Sequence, residues 1–111
     1  MEKFTTFYYC LPSGKTPVRE FVDSLNSKGY GNFVFKKELL EEFGRKLPMP
    51  HAKYMGKGLY ELRVSDPDGK IRMFYFFVKK YSIIFVHAIM KKTRKTPKKD
   101  LALAYKRMAD Y

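Results

Sequence analysis

The chain has 111 residues, enough for one domain whose core closes without metals or disulfides. Hydrophobic residues make up 45% and aromatic residues 17%, with ten Phe and nine Tyr, which excludes an intrinsically disordered protein. The formal charge of +12 is one-sided: residues 1–45 carry seven Lys/Arg against six Asp/Glu, while residues 46–111 carry sixteen against five, a balance that fits a polyanionic partner, nucleic acid or an acidic protein.

A single domain over 1–111 is expected. In chain order, Thr, Phe and Tyr crowd residues 3–10, which read as a first strand ended by the turn signal LPSGK. Thr16 and Pro17 then supply an N-cap and a first helical position, and Val18, Phe21, Val22 and Leu25 fall at helical spacing, so a first helix is expected over 17–27. The polar NSKGYGN reads as a break. Phe33, Lys36, Lys37, Leu40 and Phe43 follow as faces of an amphipathic second helix over 31–46, ending near Gly44. After the loop LPMPHAKYMGK come three strand-like runs, GLYELRVS, KIRMFYFFV and SIIFVHAIM, separated by DPDG and by KKY and spaced as an antiparallel meander. Thr96 and Pro97 then open a terminal helix over 97–109, with Leu101, Ala104, Tyr105 and Met108 on one side. The expected fold class is α+β, a mostly antiparallel sheet of about four strands with two N-terminal helices and one C-terminal helix.

The opening MEKFTTFYYC has neither the apolar core nor the cleavage site of a signal peptide, and no run of about 18 apolar residues is present to span a bilayer. The basic residues do not line one amphipathic helix, which argues against a membrane surface as partner. Cys10 is the single cysteine and cannot form an internal bridge, so a reducing cytoplasm is the expected location.

Arg72 lies inside the apolar strand KIRMFYFFV and needs a reason to be there. Two readings stay open: pairing with Glu61 across the hairpin, or a guanidinium standing on the sheet face with bidentate donors for a phosphate. Arg63 has the same ambiguity, since Glu61 is two residues away on the same face. Lys53 and Lys57 precede that strand in a glycine-bearing loop, where lysines are ordinarily solvated. His87, between Val86 and Ala88, reads by periodicity as a satisfied sheet-face histidine before it reads as an acid or base, and His51 in its proline-bounded loop offers little either way. Tyr60, Tyr75, Tyr81, Tyr105 and Tyr111 could stack on bases, although most read as packing. The sequence has no glycine-rich phosphate loop, no nucleophile motif, no zinc-ligand spacing and no acidic cluster for magnesium, so neither metal nor cofactor is expected. RNA can be cut on such a surface because its own 2′-hydroxyl is a nucleophile and clustered Arg and Lys can stabilise the phosphate.

The Y-E-L-R strand, the I-R-x-F-Y-F strand after a glycine turn, the H-A-x-x-K-K-T-x-K-T-P segment and the R-M-x-D-Y end occur here in order. So do a K-x-P-V-x-E-F helix start and a second helix ending in L-x-E-F-G, with E-E-F-G standing at 41–44. Together they resemble the RelE/HigB superfamily of type II toxins, in its phage-derived HigB-like branch, over nearly the whole chain. The resemblance implies a RelE-like fold and a toxin that cleaves mRNA on the ribosome, neutralised by a helix-turn-helix antitoxin. It matches Arg72 to the arginine on the scissile phosphate, Arg63 to the Y-E-L-R arginine, Lys91 and Lys92 to the basic pair after the last strand, and His87 to the histidine of the H-A-x-x-K-K segment. Lys57 aligns loosely. Arg94, Lys95, Lys98 and Lys99 read as a general electrostatic platform for ribosomal RNA or an acidic antitoxin segment, and Lys53, with Lys57, as a further RNA-binding candidate. The competing classes are a catalytically inactive RNA- or ribosome-binding module and a basic adaptor for an acidic protein.

Overall fold

A computed structural model describes residues 3–111; Met1 and Glu2, which open the segment read as lacking a signal peptide, lie outside the described residues. In chain order the elements are β1 (Thr5–Tyr8), α1 (Pro17–Asp23), α2 (Ser27–Phe43) with a 3₁₀ turn at Gly44–Lys46, β2 (Ala52–Gly56), β3 (Leu59–Asp66), β4 (Gly69–Val78), β5 (Ser82–Lys91) and α3 (Lys98–Asp110). The sheet is five-stranded in the order β1-β5-β4-β3-β2, antiparallel throughout except that β1 runs parallel to β5.

Helices α1 and α2 cover one face. Alternate side chains of the strands meet them there: Leu62 and Val64, Ile71 and Met73, Ile83 and Phe85 pack with Val18, Val22, Phe33 and Leu40. Each such fully buried large side chain stabilises the fold by roughly 1.5–3 kcal/mol. The opposite face carries a smaller core, in which Leu59, Phe74, Ile84 and Val86 pack under Ala104 of α3. Leu101, Tyr105 and Met108 of α3 also pack against this core, and polar contacts add to this, the Tyr105 hydroxyl to the carbonyls of Met55 and Gly56 at 2.9 Å each, and Arg107 Nη1 to the Val86 carbonyl at 2.9 Å. Among the described residues no helix covers the stretch of this face beyond α3.

The expected α+β class and the three helices are present, but the sheet has five strands rather than four and is mixed. The extra one, β2, is a short edge strand whose Lys53 and Tyr54 are exposed, so residues 52–56 lack the buried alternation of a central strand and read as loop. Helix α2 starts at Ser27, four residues before the expected 31. The NSKGYGN segment is not a break: the Asn26 side chain accepts the Gly29 N–H at 2.8 Å, and Gly29 packs where a Cβ would strike the Asp66 carboxylate. At the other end Gly44 takes φ 55° at the α2 C-cap, and a Cβ there would run into the Phe4 ring. Helix α1 stops at Asp23, short of 27, and Leu25 reaches the core from outside it. Helix α3 begins at Lys98 with Pro97 as its cap residue, because the Thr96 hydroxyl is used elsewhere.

Within β5 the pairing to β4 slips: Tyr75 pairs with Phe85 and Phe74 with His87, leaving Val86 as an extra residue. This bulge turns Val86 and His87 onto the same face and reverses the alternation beyond it. Ala88 and Met90 therefore point to the α1–α2 core, while Ile89 and Lys91 point to the α3 face.

Candidate nucleic-acid interface

Pairing of β3 with β4 sets Arg63 directly opposite Arg72, and Glu61 two residues earlier shares their face. Like charges opposite one another on a sheet repel. Here Glu61 offsets the repulsion. It is 2% exposed, with Oε1 3.1 Å from Arg63 Nε and 3.7 Å from Arg72 Nε, and Oε2 accepts the Thr96 hydroxyl at 3.1 Å. Of the two readings of Arg72, the pairing with Glu61 is present, and it leaves room for the other. The carboxylate faces the Nε edges of both guanidiniums, Arg72 Nη1 donates to its neighbour's Ile71 carbonyl at 3.0 Å, and Arg72 Nη2 and both Arg63 Nη atoms donate to no other described residue. Burial lowers the Arg72 pKa, as does Arg63, and Glu61 partly restores it.

Lys91 ends β5 on this face, opposite Lys70. It is 8% exposed and donates to the Arg94 carbonyl at 2.6 Å, which folds the basic loop back over the strand. Burial, and then Arg72, pull its ammonium below the ordinary lysine value. A groove of about 310 Å³ runs between this loop and β2, lined by Lys53, Glu61, Arg63, Lys91, Arg94 and Lys95 among others, with Lys98 at its α3 end. Lys53 enters because β2 pairs it with Glu61.

The other sequence-predicted residues stand apart from that groove. Lys92 follows the strand on the outside and borders a neighbouring cleft with Asp66 and Lys70. Lys57 sits in the β2–β3 hairpin at φ 55°, and Lys99 is exposed on the first turn of α3. His87 is held beneath α3: its ring stacks on Phe74, Nε2 lies 2.8 Å from Asp100 Oδ1, and Nδ1 lies 3.5 Å from Arg107 Nη1. That network assigns the ring proton to Nε2 and gives both nitrogens partners. Tyr60 and Tyr75 stack on each other at 5.5 Å on the opposite face, so neither ring lines the cationic groove.

Sequence reasoning missed Asp100 and Arg107, and gave Thr96 a helix-cap role in place of its contact with Glu61. Asp100 carried one signal, an acid in the first turn of a helix. Its pairing with His87 joins two elements and leaves no trace in spacing. Among the described residues no helix is long and apolar enough to cross a membrane, and no three His, Cys, Asp or Glu residues gather as a metal site.

Comparison with known proteins finds a match between residues 20–109 and the family described as Phage derived protein Gp49-like. No curated protein matches the chain. With four fifths of its length covered by that match, the chain belongs to the Gp49-like family of phage-derived proteins, a family associated with the RelE/HigB-like toxins of toxin–antitoxin systems.

Proposed function

We propose that this protein is the toxin of a type II toxin–antitoxin system, a cytoplasmic endoribonuclease that cleaves mRNA engaged on the ribosome. The observation that carries the reading is the Arg63–Arg72 pair, fixed from behind by one carboxylate with its Nη groups left for an incoming phosphate. The family's association with toxins supplies the biological setting. The partners are mRNA, ribosomal RNA and a helix-turn-helix antitoxin.

In the proposed reaction the RNA 2′-hydroxyl loses its proton to a basic group and its oxygen attacks the adjacent phosphorus. The bond to the 5′-oxygen breaks, and that oxygen leaves with a proton. Products are a 2′,3′-cyclic phosphate and a free 5′-hydroxyl. Arg72 and Arg63 neutralise the pentacoordinate phosphate, and Lys91 is the best placed donor to the leaving oxygen, ahead of Lys92 on the outside and His87 under α3. A buried ammonium crowded by arginines is a stronger acid than a free lysine.

The test is expression in cells followed by mapping of mRNA ends: growth arrest with new in-frame 5′-ends is expected, and their absence overturns the enzyme reading in favour of a binding module. Lys91 gives a second expectation. Its ammonium is the active form, present below its pKa and lost as pH rises through it, so the rate corrected for spontaneous RNA hydrolysis falls on the alkaline side at a pH below 10.5. Lys91→Arg keeps the charge but does not deprotonate in that range. An alkaline limb unchanged in Lys91→Arg would assign the proton to another group.

A further inference from the structure

Pairing of β2 with β3 ends at Ala52 and Leu62, so the second half of β3 has no strand beyond it. Among the described residues only the Arg63 N–H is met there, by the His51 carbonyl at 2.9 Å, and the Ser65 carbonyl by Asn32 Nδ2 at 3.0 Å. A cleft of about 290 Å³ opens at this edge, lined by Lys36, Pro50, Arg63, Val64, Ser65, Lys70 and Arg72. Four of its lining residues are cations, drawn from α2, β3 and β4, and none is an acid. Arg63 and Arg72 share Glu61, while Lys36 and Lys70 form no ion pair with any described residue.

We propose that Lys36 and Lys70 extend the arginine pair into a second phosphate subsite at the free edge of β3, which grips an RNA phosphate next to the scissile one. Lys36 is built into place: its ammonium donates to His51 Nδ1 at 2.8 Å, which fixes the head group and leaves two N–H donors for a ligand. His51 thereby acts as a positioning residue for the subsite. Burial, and then the charge of Arg72, lower the Lys36 pKa, the mark of cations pressed together without a counter-ion. A phosphodiester supplies that counter-ion, and its two non-bridging oxygens match donors arriving from both sides of the strand.

The ligand's identity as RNA rests on the function proposed above, so the assay separates binding from cleavage. The probe is a short RNA in which the 2′-hydroxyl at the scissile position is replaced by hydrogen, titrated by anisotropy at several salt concentrations. Lys36→Met is compared with Lys37→Met, which removes the same charge from the adjacent position of the same helix, where Glu41 already neutralises it at 2.9 Å. Lys36→Met is expected to bind about tenfold more weakly, with the slope of log K against log salt smaller by about one. Lys37→Met should stay within about twofold of the wild type, with its slope unchanged. Lys36→Gln should reproduce the Lys36→Met loss, and thermal melts show that each variant is folded. Equal losses for positions 36 and 37, or no loss at 36, overturn the subsite and leave the cleavage reading untouched. A loss specific to position 36 in a protein that cleaves no RNA upholds the subsite and removes the enzyme.

Discussion

Arg72→Ala is expected to lower the single-turnover rate of RNA cleavage by roughly 10²–10³-fold, the cost of removing one preorganised donor from a developing phosphate charge. The residue is 8% exposed on a strand flanked by apolar residues, so its guanidinium is held in place before substrate arrives. Arg72→Lys sharpens the expectation. It restores a point charge without the planar fork, and should recover binding more than rate. Glu61 keeps Arg63 at 3.1 Å in both variants, so neither strands a buried carboxylate. If the protein only binds RNA, Arg72→Ala loses about one unit of salt slope and shows no rate to lose. A variant that cleaves at the wild-type rate would remove Arg72 from the site altogether.

The second large effect is on stability. Glu61→Ala removes the 2%-exposed carboxylate that faces two arginines and the Thr96 hydroxyl. Removing one member of a buried ion pair costs about 3–5 kcal/mol. Arg63 retains 28% of its side-chain surface and water reclaims part of that cost, which places the expectation at the lower end, about 3 kcal/mol. For a chain of this size the melting temperature should fall by on the order of 10 °C. Glu61→Gln keeps the volume and one of the two acceptor oxygens and should recover part of the loss. A melting temperature within about 2 °C of the wild type for Glu61→Ala would show that the two arginines find water or other partners without it.

Much of this molecule is legible in its sequence, and what is missed has identifiable causes. Long strands with apolar cores, such as 70–78, announce themselves because burial on both faces imposes composition. β2 does not, since an exposed edge strand needs only to complete the ladder. The start of α2 is hidden because Gly29 and Gly31 lower helix propensity, and the Asn26 cap and the close approach to Asp66 that make glycine the right choice are tertiary facts. For the site, Arg72 and Arg63 stand out because charge inside apolar strands demands a partner, whereas Lys91 is singled out by the resemblance of its H-A-x-x-K-K segment, where it is expected to follow the last strand and not to end it. Lys36 does not stand out: on a helix with two other lysines and three glutamates it looks like one more solvated charge. Only the early end of β2 exposes the strand edge where it meets the arginines.

The bulge at Val86 has a consequence for how this strand tolerates change in length. Tyr75 and Phe74 are neighbours on β4, and their partners Phe85 and His87 are separated only by the extra residue. A chain lacking Val86 would close into an unbroken ladder with every other pair kept, at the cost of one valine in the smaller core. An extra residue between His87 and Lys91 would do the opposite, turning Lys91 to the α1–α2 face that Ala88 and Met90 now occupy and emptying the groove of its buried ammonium. The strand thus accepts a deletion at one point and no insertion after it, so length variants among relatives should be asymmetric at this position.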